Sequence, residues 1–288
     1  MDYRSPGTVK EAVELLTAHN GAGQVLAGGT DLLVKLRAGF VDPKLVVDVK
    51  SIPQLRGIAV DSGGFRIGAA TSCAEIGEHA PLVAAWPGVV EALHLIGSTQ
   101  IQGRATPGGN LCNASPAADS VPAMIAAGAI CQVAGPAGER EVRVEDIVTA
   151  PGRTSLARGE FVVNFKLPKP RSRSGDAYLR LIPRTEMDIA VVGVGVALTL
   201  DENGVCTHAR VGLGAVAPTP LLVAEGAKAL IGTRVEGKAL DALAAAASSA
   251  CKPIDDKRGT VSYRVKVAGV LARRAALVAL ERARRQRI

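Results

Sequence analysis

Two glycine-rich stretches hold the polar groups with the clearest chemical meaning in this sequence. The first glycine segment is VLAGGTDLL, residues 25–33, and the second glycine segment is ATPGGNLCNASPAADS, residues 105–120. Neither contains a histidine or a lysine, and their carboxylates are Asp31 and Asp119. Because no nucleophile stands beside a general base, both segments are suited to holding a ligand rather than to reacting with it.

The first glycine segment has the pattern of a strand that runs through Gly28 and Gly29 directly into a helix. Glycine permits the dihedrals that turn consecutive amides inward, and a helix start adds unpaired donors and positive partial charge. This pattern predicts a phosphate site. An ordinary tight turn, with Asp31 favouring the helix dipole, is the alternative that the residues leave open.

The second glycine segment is predicted to be a loop of amides, hydroxyls and one acid. Its paired glycines let the backbone approach a ligand closely, and Asp119, an acceptor when ionised, suits a ribose hydroxyl. Each group taken singly also fits a turn or a cap. Two such segments together favour a ligand with two phosphates and sugar hydroxyls. The other groups concerned are Thr106, Gly108, Gly109, Asn110, Asn113 and Ser115.

Other nucleotide and metal motifs are absent from the sequence. It has no GxxxxGK[ST] motif, and the GVGVAL stretch at Gly193 lies inside an apolar strand, which favours sheet packing. The five cysteines lack the short spacings of zinc or iron–sulfur sites. They are interpreted as reduced, mostly buried thiols of a cytoplasmic protein.

Composition limits the kinds of partner. The chain has 288 residues, 48% of them hydrophobic and 3% aromatic, and a formal charge of +7 concentrated near the carboxyl end. Nucleic-acid binding has no supporting motif, so the basic end is interpreted as a solvated or subunit-facing helix. Neither a signal peptide nor an apolar run of about 18 residues is found, so no membrane span is predicted.

The order of elements predicts two domains. Thr8 and Glu11 form a capping box for a first helix, Pro87 interrupts a later helical stretch, and GPAG joins a hairpin. The polar stretch KPRSRSG, residues 169–175, is the best linker. After it, strands joined by DENG precede three helices, which is typical of an antiparallel sheet covered on one face.

The two glycine segments resemble the paired flavin loops of the FAD-binding medium subunit of molybdenum hydroxylases, the xanthine dehydrogenase and aerobic carbon monoxide dehydrogenase family. AGGTDL and TPGGNLCNASPAAD carry the likeness, supported by RTEMDIAVVGVGVAL and SYRVKVAGVLARRA later in the chain. The resemblance implies an α+β fold. A two-subdomain FAD-binding domain, residues 1–170, would precede a smaller domain of antiparallel sheet and helices, residues 171–288.

The resemblance also implies the residues that contact FAD. They are Leu26, Ala27, Gly28, Gly29, Thr30, Asp31, Leu32, Ile96, Thr106, Gly108, Gly109, Asn110, Asn113, Ser115, Asp119, Val163 and Arg180. The sequence departs from the family at Ala105 and Pro107, and at Ile189, where some relatives have a tyrosine near the flavin. No residue of this chain is expected to act as an acid, base, nucleophile or metal ligand.

The resemblance implies an electron-transfer subunit with one noncovalent FAD. A small partner would hold two-iron two-sulfur clusters, a large partner would hold the molybdenum cofactor, and the assembly would be a dimer of heterotrimers. Electrons would leave to an external acceptor, NAD or another carrier. The alternatives are a stand-alone FAD-dependent reductase, related to the enolpyruvyl reductases, and a flavin-free scaffold.

Overall fold

The structure is a computed structural model, and it describes residues 1–285. The chain begins with a small parallel sheet in the order β1-β3-β2. Its capping box is confirmed, because Thr8 Oγ1 accepts from the Glu11 amide at 3.2 Å and the Glu11 carboxylate accepts from the Gly7 amide at 3.0 Å. The elements are β1 (Asp2–Arg4), α1 (Val9–Ala18), β2 (Gly23–Leu26), α2 (Leu32–Arg37) and β3 (Leu45–Asp48).

A five-stranded antiparallel sheet, β4-β5-β10-β6-β7, forms the second part of the molecule. The interruption at Pro87 and the GPAG hairpin are both found, since Pro87 starts a separate helix and Gly135 pairs with Gly138. The strands are β4 (Ile58–Asp61), β5 (Gly64–Gly68), β6 (Ile130–Gly135), β7 (Gly138–Arg143), β8 (Val148–Ala150), β9 (Arg153–Thr154) and β10 (Phe161–Pro168).

Helices between β5 and β6 cover this sheet. One of them lies where the sequence predicted a loop. The second glycine segment is not an open loop, because residues 107–112 form a helix of their own. Thr106 is its N-cap and Pro107 its first residue, where the missing proline amide costs no hydrogen bond. The helices are α3 (Cys73–Gly77), α4 (Ala80–Ala85), α5 (Pro87–His94), α6 (Thr99–Gln102), α7 (Pro107–Cys112) and α8 (Ser120–Ala127).

The last part is an antiparallel sheet in the order β11-β12-β13-β14, followed by three helices within the described residues. Gly204, with φ of 78°, closes the DENG turn between β12 and β13. The α+β fold is therefore confirmed. The elements are β11 (Ser174–Leu181), β12 (Val192–Leu200), β13 (Cys206–Gly214), β14 (Leu221–Leu222), α9 (Ala224–Leu230), α10 (Lys238–Ala250) and α11 (Val261–Arg285).

The two parts of the chain contact each other along α5, α8 and β11. Gly195 of β12 serves this packing, since a Cβ there would lie 2.5 Å from the Pro122 carbonyl of α8. Asp176 of β11 accepts from the Val89 amide at the start of α5. The division at residues 170 and 171 remains a prediction, and the last three residues of the basic carboxyl end lie outside the described residues.

Among residues 1–285, no helix combines the length and the apolar character that crossing a bilayer requires. The five cysteines are unpaired; Cys73, Cys131 and Cys206 are buried, whereas Cys112 is exposed. Several arginines of the basic helix α11 form ion pairs within the chain. Arg282 pairs with Glu91 and also donates to the backbone carbonyl of Asp176.

Candidate functional site

A cleft of about 520 Å³ lies where the two glycine segments meet. The turn between β2 and α2 forms one wall, and α7 with the residues before it forms another. Residues from the range 152–162, which includes the start of β10, form a third. Predicted site residues that line the cleft are Ala27, Gly28, Gly29, Thr30, Asp31, Leu32, Ile96, Thr106, Gly108, Gly109, Asn110 and Asn113.

The first wall offers unused backbone donors. Within residues 1–285, the amides of residues 28–31 have no hydrogen-bond acceptor. Gly29 has φ of 84°, a left-handed conformation that glycine adopts without strain. A run of unpaired amides in such a turn is an anion-binding arrangement.

The second wall is preorganised differently, because its amides already have acceptors. The Gly109 amide donates to Thr106 Oγ1 at 3.0 Å, and the Gly108 amide donates to the Ala69 carbonyl at 3.0 Å. A Cβ at Gly108 would lie 2.6 Å from that same carbonyl, so the close approach requires glycine. This wall therefore offers a smooth surface and the Asn110 side-chain amide rather than free backbone donors. Backbone amides that are free to bind a ligand are therefore found at the first wall and not at Gly108 and Gly109.

Asn113 joins the two walls directly. Its side-chain amide donates to Asp31 Oδ1 at 3.1 Å, and its carbonyl oxygen accepts from Lys35 Nζ at 2.6 Å. Desolvation at the wall raises the pKa of the Asp31 carboxyl, and the Lys35 ammonium opposes that rise. A Cβ on Gly28 would lie only 1.8 Å from the Arg104 carbonyl, so backbone contacts backbone beside this bridge.

Five predicted residues do not line the cleft. Asp119 instead accepts from Tyr178 at 2.9 Å and from Arg180 at 2.8 Å, joining the start of α8 to β11. Ser115 Oγ accepts from the Ala117 amide at 3.3 Å within its own turn. Leu26 of β2 and Val163 of β10 are both buried. FAD contacts at these positions remain predictions.

The sequence interpretation missed the third wall and the cationic groups of the cleft. Lys35 and Arg158 both line it, and Arg158 donates to Asn20 Oδ1 at 3.0 Å. Glu160, the acid on this wall, is already paired with Arg140 at 2.7 Å. The glycine at position 159 is a local sequence signal of a turn here, and its φ is 82°.

The residues present fit a large anionic cofactor. Free amides and Lys35 suit a diphosphate, and Gly108 and Gly109 present backbone without side chains to the cleft. The cleft volume falls within the range of about 300–1,000 Å³ that is common for cofactor pockets. Ile96 adds an apolar surface.

Comparison with protein families shows the family to which the chain belongs. Residues 1–170 match the FAD binding domain in molybdopterin dehydrogenase, and residues 177–279 match the CO dehydrogenase flavoprotein C-terminal domain. The chain belongs to the FAD-binding medium subunits of the molybdenum hydroxylases. The medium subunit is thus an oxidoreductase component, which confirms what the resemblance implied.

Two curated relatives agree with this assignment. The medium subunit is 35% identical to the carbon monoxide dehydrogenase medium chain of Afipia carboxidovorans, over 98% of each chain. It is 34% identical to a putative xanthine dehydrogenase FAD-binding subunit of Escherichia coli, over 76% of this chain and 75% of the relative. The stand-alone reductase and the flavin-free scaffold are not favoured.

Solved structures extend the likeness to the whole fold. A crystal structure of Cu,Mo-CO dehydrogenase in a cyanide-inactivated form gives a TM-score of 0.94 at 35% identity, with 98% of each chain covered. Quinoline 2-oxidoreductase from Pseudomonas putida 86 gives a TM-score of 0.89 at 25% identity, again over 98% of each chain. These two relatives are named for different compounds, CO and quinoline, so the shared fold does not identify a substrate.

Proposed function

We propose that this medium subunit holds one noncovalent FAD in the cleft and serves as the electron outlet of a molybdenum hydroxylase. When bound, FAD supplies the redox chemistry, receiving electrons from a partner's two-iron two-sulfur clusters and releasing them to an external acceptor. The chain itself binds, orients and shields the cofactor, which is the usual contribution of protein to cofactor chemistry. The observation that carries the proposal is the direct joining of the two glycine segments across one cleft.

The residues of the first wall are assigned to the diphosphate. The free amides of residues 28–31 would donate to its oxygens, with Lys35 supplying positive charge. Thr30 and Asp31 would lie beside them. Asp31 already accepts from Asn113, so its carboxylate fixes the spacing of the walls as well.

The residues of the second wall are assigned to the remainder of FAD. Gly108 and Gly109 would give it a flat surface, and Asn110 would donate its side-chain amide. Asn110 Oδ1 is held by Ser120, which accounts for the orientation of the amide. Because neither segment has a general acid or base poised in the cleft, no proton-transfer role is assigned to this chain.

The proposed partners follow from the family. A small iron–sulfur subunit and a large molybdenum subunit would assemble with this chain as a dimer of heterotrimers, with NAD or another carrier as acceptor. The medium chain and subunit designations of its relatives support a multisubunit enzyme. Unpaired cysteines are consistent with the proposed cytoplasmic location.

Affinity purification of the tagged chain from its native host tests this function. Two further polypeptides should co-purify, and the complex should contain iron, molybdenum and one FAD per medium subunit. A complex carrying a flavin-free medium subunit should keep its iron and molybdenum yet fail to reduce any external acceptor. Isolation of the tagged chain as a metal-free species that turns over a substrate alone would overturn the proposal.

A further inference from the structure

Lys50 lies behind the first wall and contacts the backbone of the glycine segment. Its ammonium donates to the Ala27 carbonyl at 3.0 Å and to Asp48 Oδ1 at 2.7 Å. Lys50 is not among the residues that line the cleft. Its direct contact with the glycine segment is therefore through the Ala27 carbonyl.

Lys50 is itself held in position by a chain of polar contacts. Asp48 Oδ1 also accepts from the Lys50 backbone amide at 3.0 Å, and Tyr3 donates to Asp48 Oδ2 at 2.6 Å. Burial alone would raise the pKa of the Asp48 carboxyl, but hydrogen bonds from Lys50 and Tyr3 outweigh burial and lower the pKa. Asp48 is thus an ionised anchor at the carboxyl end of β3, beside the end of β2.

The contact with Ala27 fixes more than one carbonyl. The Ala27 carbonyl and the Gly28 amide belong to the same peptide unit, which is planar and trans, so they point in opposite directions. A donor that holds the carbonyl behind the wall consequently turns the Gly28 amide towards the cleft. That amide is one of the unpaired donors of the first wall.

A second cation makes a weaker contact of the same kind. Arg104 Nε donates to the Gly28 carbonyl at 3.4 Å, which belongs to the next peptide unit and so to the Gly29 amide. The distance is long for a hydrogen bond, and Arg104 is exposed. The Lys50 contact with the Ala27 carbonyl, at 3.0 Å, is the better defined of the two.

We infer that Lys50 is a positioning residue that aims the Gly28 amide at the diphosphate of the cofactor. The inference rests on the proposed function, because it concerns how the same cleft binds FAD. Glycine leaves this turn many backbone conformations, so a contact that selects one of them before binding reduces the entropic cost of binding.

The test compares Lys50→Met with Lys10→Met in the full-length chain. Both substitutions remove one positive charge, but Lys10 is on the exposed surface of α1, and its side chain is 88% exposed. FAD titration should show about tenfold weaker binding for Lys50→Met, the effect of one charge-assisted hydrogen bond, and no change for Lys10→Met. The amide resonance of Gly28 should shift in flavin-free Lys50→Met, and so should the ³¹P resonances of its bound FAD.

Salt separates positioning from a remote charge effect. At about 1 M salt the screening length is about 3 Å, so a through-space contribution of the ammonium would be reduced, whereas a positioning effect would persist. If Lys50→Met does not fold, Asp48→Asn/Lys50→Met removes the carboxylate left without its partner, and the same results are expected.

Equal FAD affinities and unchanged Gly28 resonances in Lys50→Met and Lys10→Met would overturn the inference alone. Loss of the Lys50→Met effect at high salt would do the same. A wild-type chain that binds no FAD would overturn the proposed function, and this inference with it.

Discussion

Asn113 donates its side-chain amide to the carboxylate of Asp31 at 3.1 Å, although 82 residues separate the two in the sequence. This contact brings the helix α7 against the turn between β2 and α2. Two segments that would each fit an ordinary turn therefore form one cleft. The proposed FAD site depends on that closure.

A substitution at Gly28 tests how closely the first and second walls of the cleft must approach each other. Gly28→Ala places a methyl group 1.8 Å from the Arg104 carbonyl, so the two walls must separate. We expect a loss of about 1–3 kcal/mol in the free energy of unfolding, typical of overpacking, and at least tenfold weaker FAD binding. Denaturant unfolding and FAD titration measure the two effects.

Gly103→Ala is the matched control, because a Cβ there meets no atom within 4 Å and its φ is −65°. It should bind FAD as the wild type does and should be at least as stable. Similar FAD affinities for Gly28→Ala and Gly103→Ala would contradict the close packing of the walls.

A double-mutant cycle tests the bridge. Asp31→Ala and Asn113→Ala should each weaken FAD binding, and the double variant should lose less than the sum of the two because they share one contact. We expect a coupling of about 1 kcal/mol in the free energy of FAD binding. Additive losses, measured by titration of all four proteins, would mean that the Asn113–Asp31 contact does not help to form the site.

The buried carboxyl of Asp176 should make the free energy of unfolding depend on pH. Burial raises the pKa of its carboxyl to about 7, opposed by the Gly88 and Val89 amides and by Arg282. One oxygen, Oδ1, has no hydrogen-bond partner in the described structure. Between about pH 4 and pH 7 the folded chain keeps a proton that the unfolded chain releases, so the free energy of unfolding should fall as the pH rises.

Asp176→Asn, an analogue of the protonated carboxyl, should remove this fall. Above pH 7 the variant should be more stable than the wild type by an amount on the order of 2–4 kcal/mol, and at pH 4 the two should be similar. Denaturant unfolding at pH 4 and pH 8 measures the difference. A constant offset between the two proteins at both pH values would refute the raised pKa.

Elements defined by local signals could be predicted from the sequence. The capping box at Thr8, the strand–turn–helix around Gly28 and the hairpin at Gly204 depend on residues only a few positions apart. The helix α7 was missed because its paired glycines outweighed two correct start signals, Thr106 as N-cap and Pro107 after it.

Contacts between distant segments could not be predicted. The pairing of Asp119 with Tyr178 and Arg180 depends on how β11 packs against α8, and no local pattern specifies that packing. Lys50 likewise reaches Ala27 only because β2 and β3 are parallel neighbours whose carboxyl ends share one edge. Residues 152–162 form part of the cleft for a similar reason, since β10, which begins within this range, pairs with β6.

The central claim, that the joined glycine segments hold one FAD, is tested most directly by titrating the purified full-length chain with FAD. The account predicts saturation at one FAD per chain, with the yellow colour released into the supernatant when the protein is precipitated with acid. Failure to bind FAD at any concentration, or flavin that stays with the acid-precipitated protein, would contradict it.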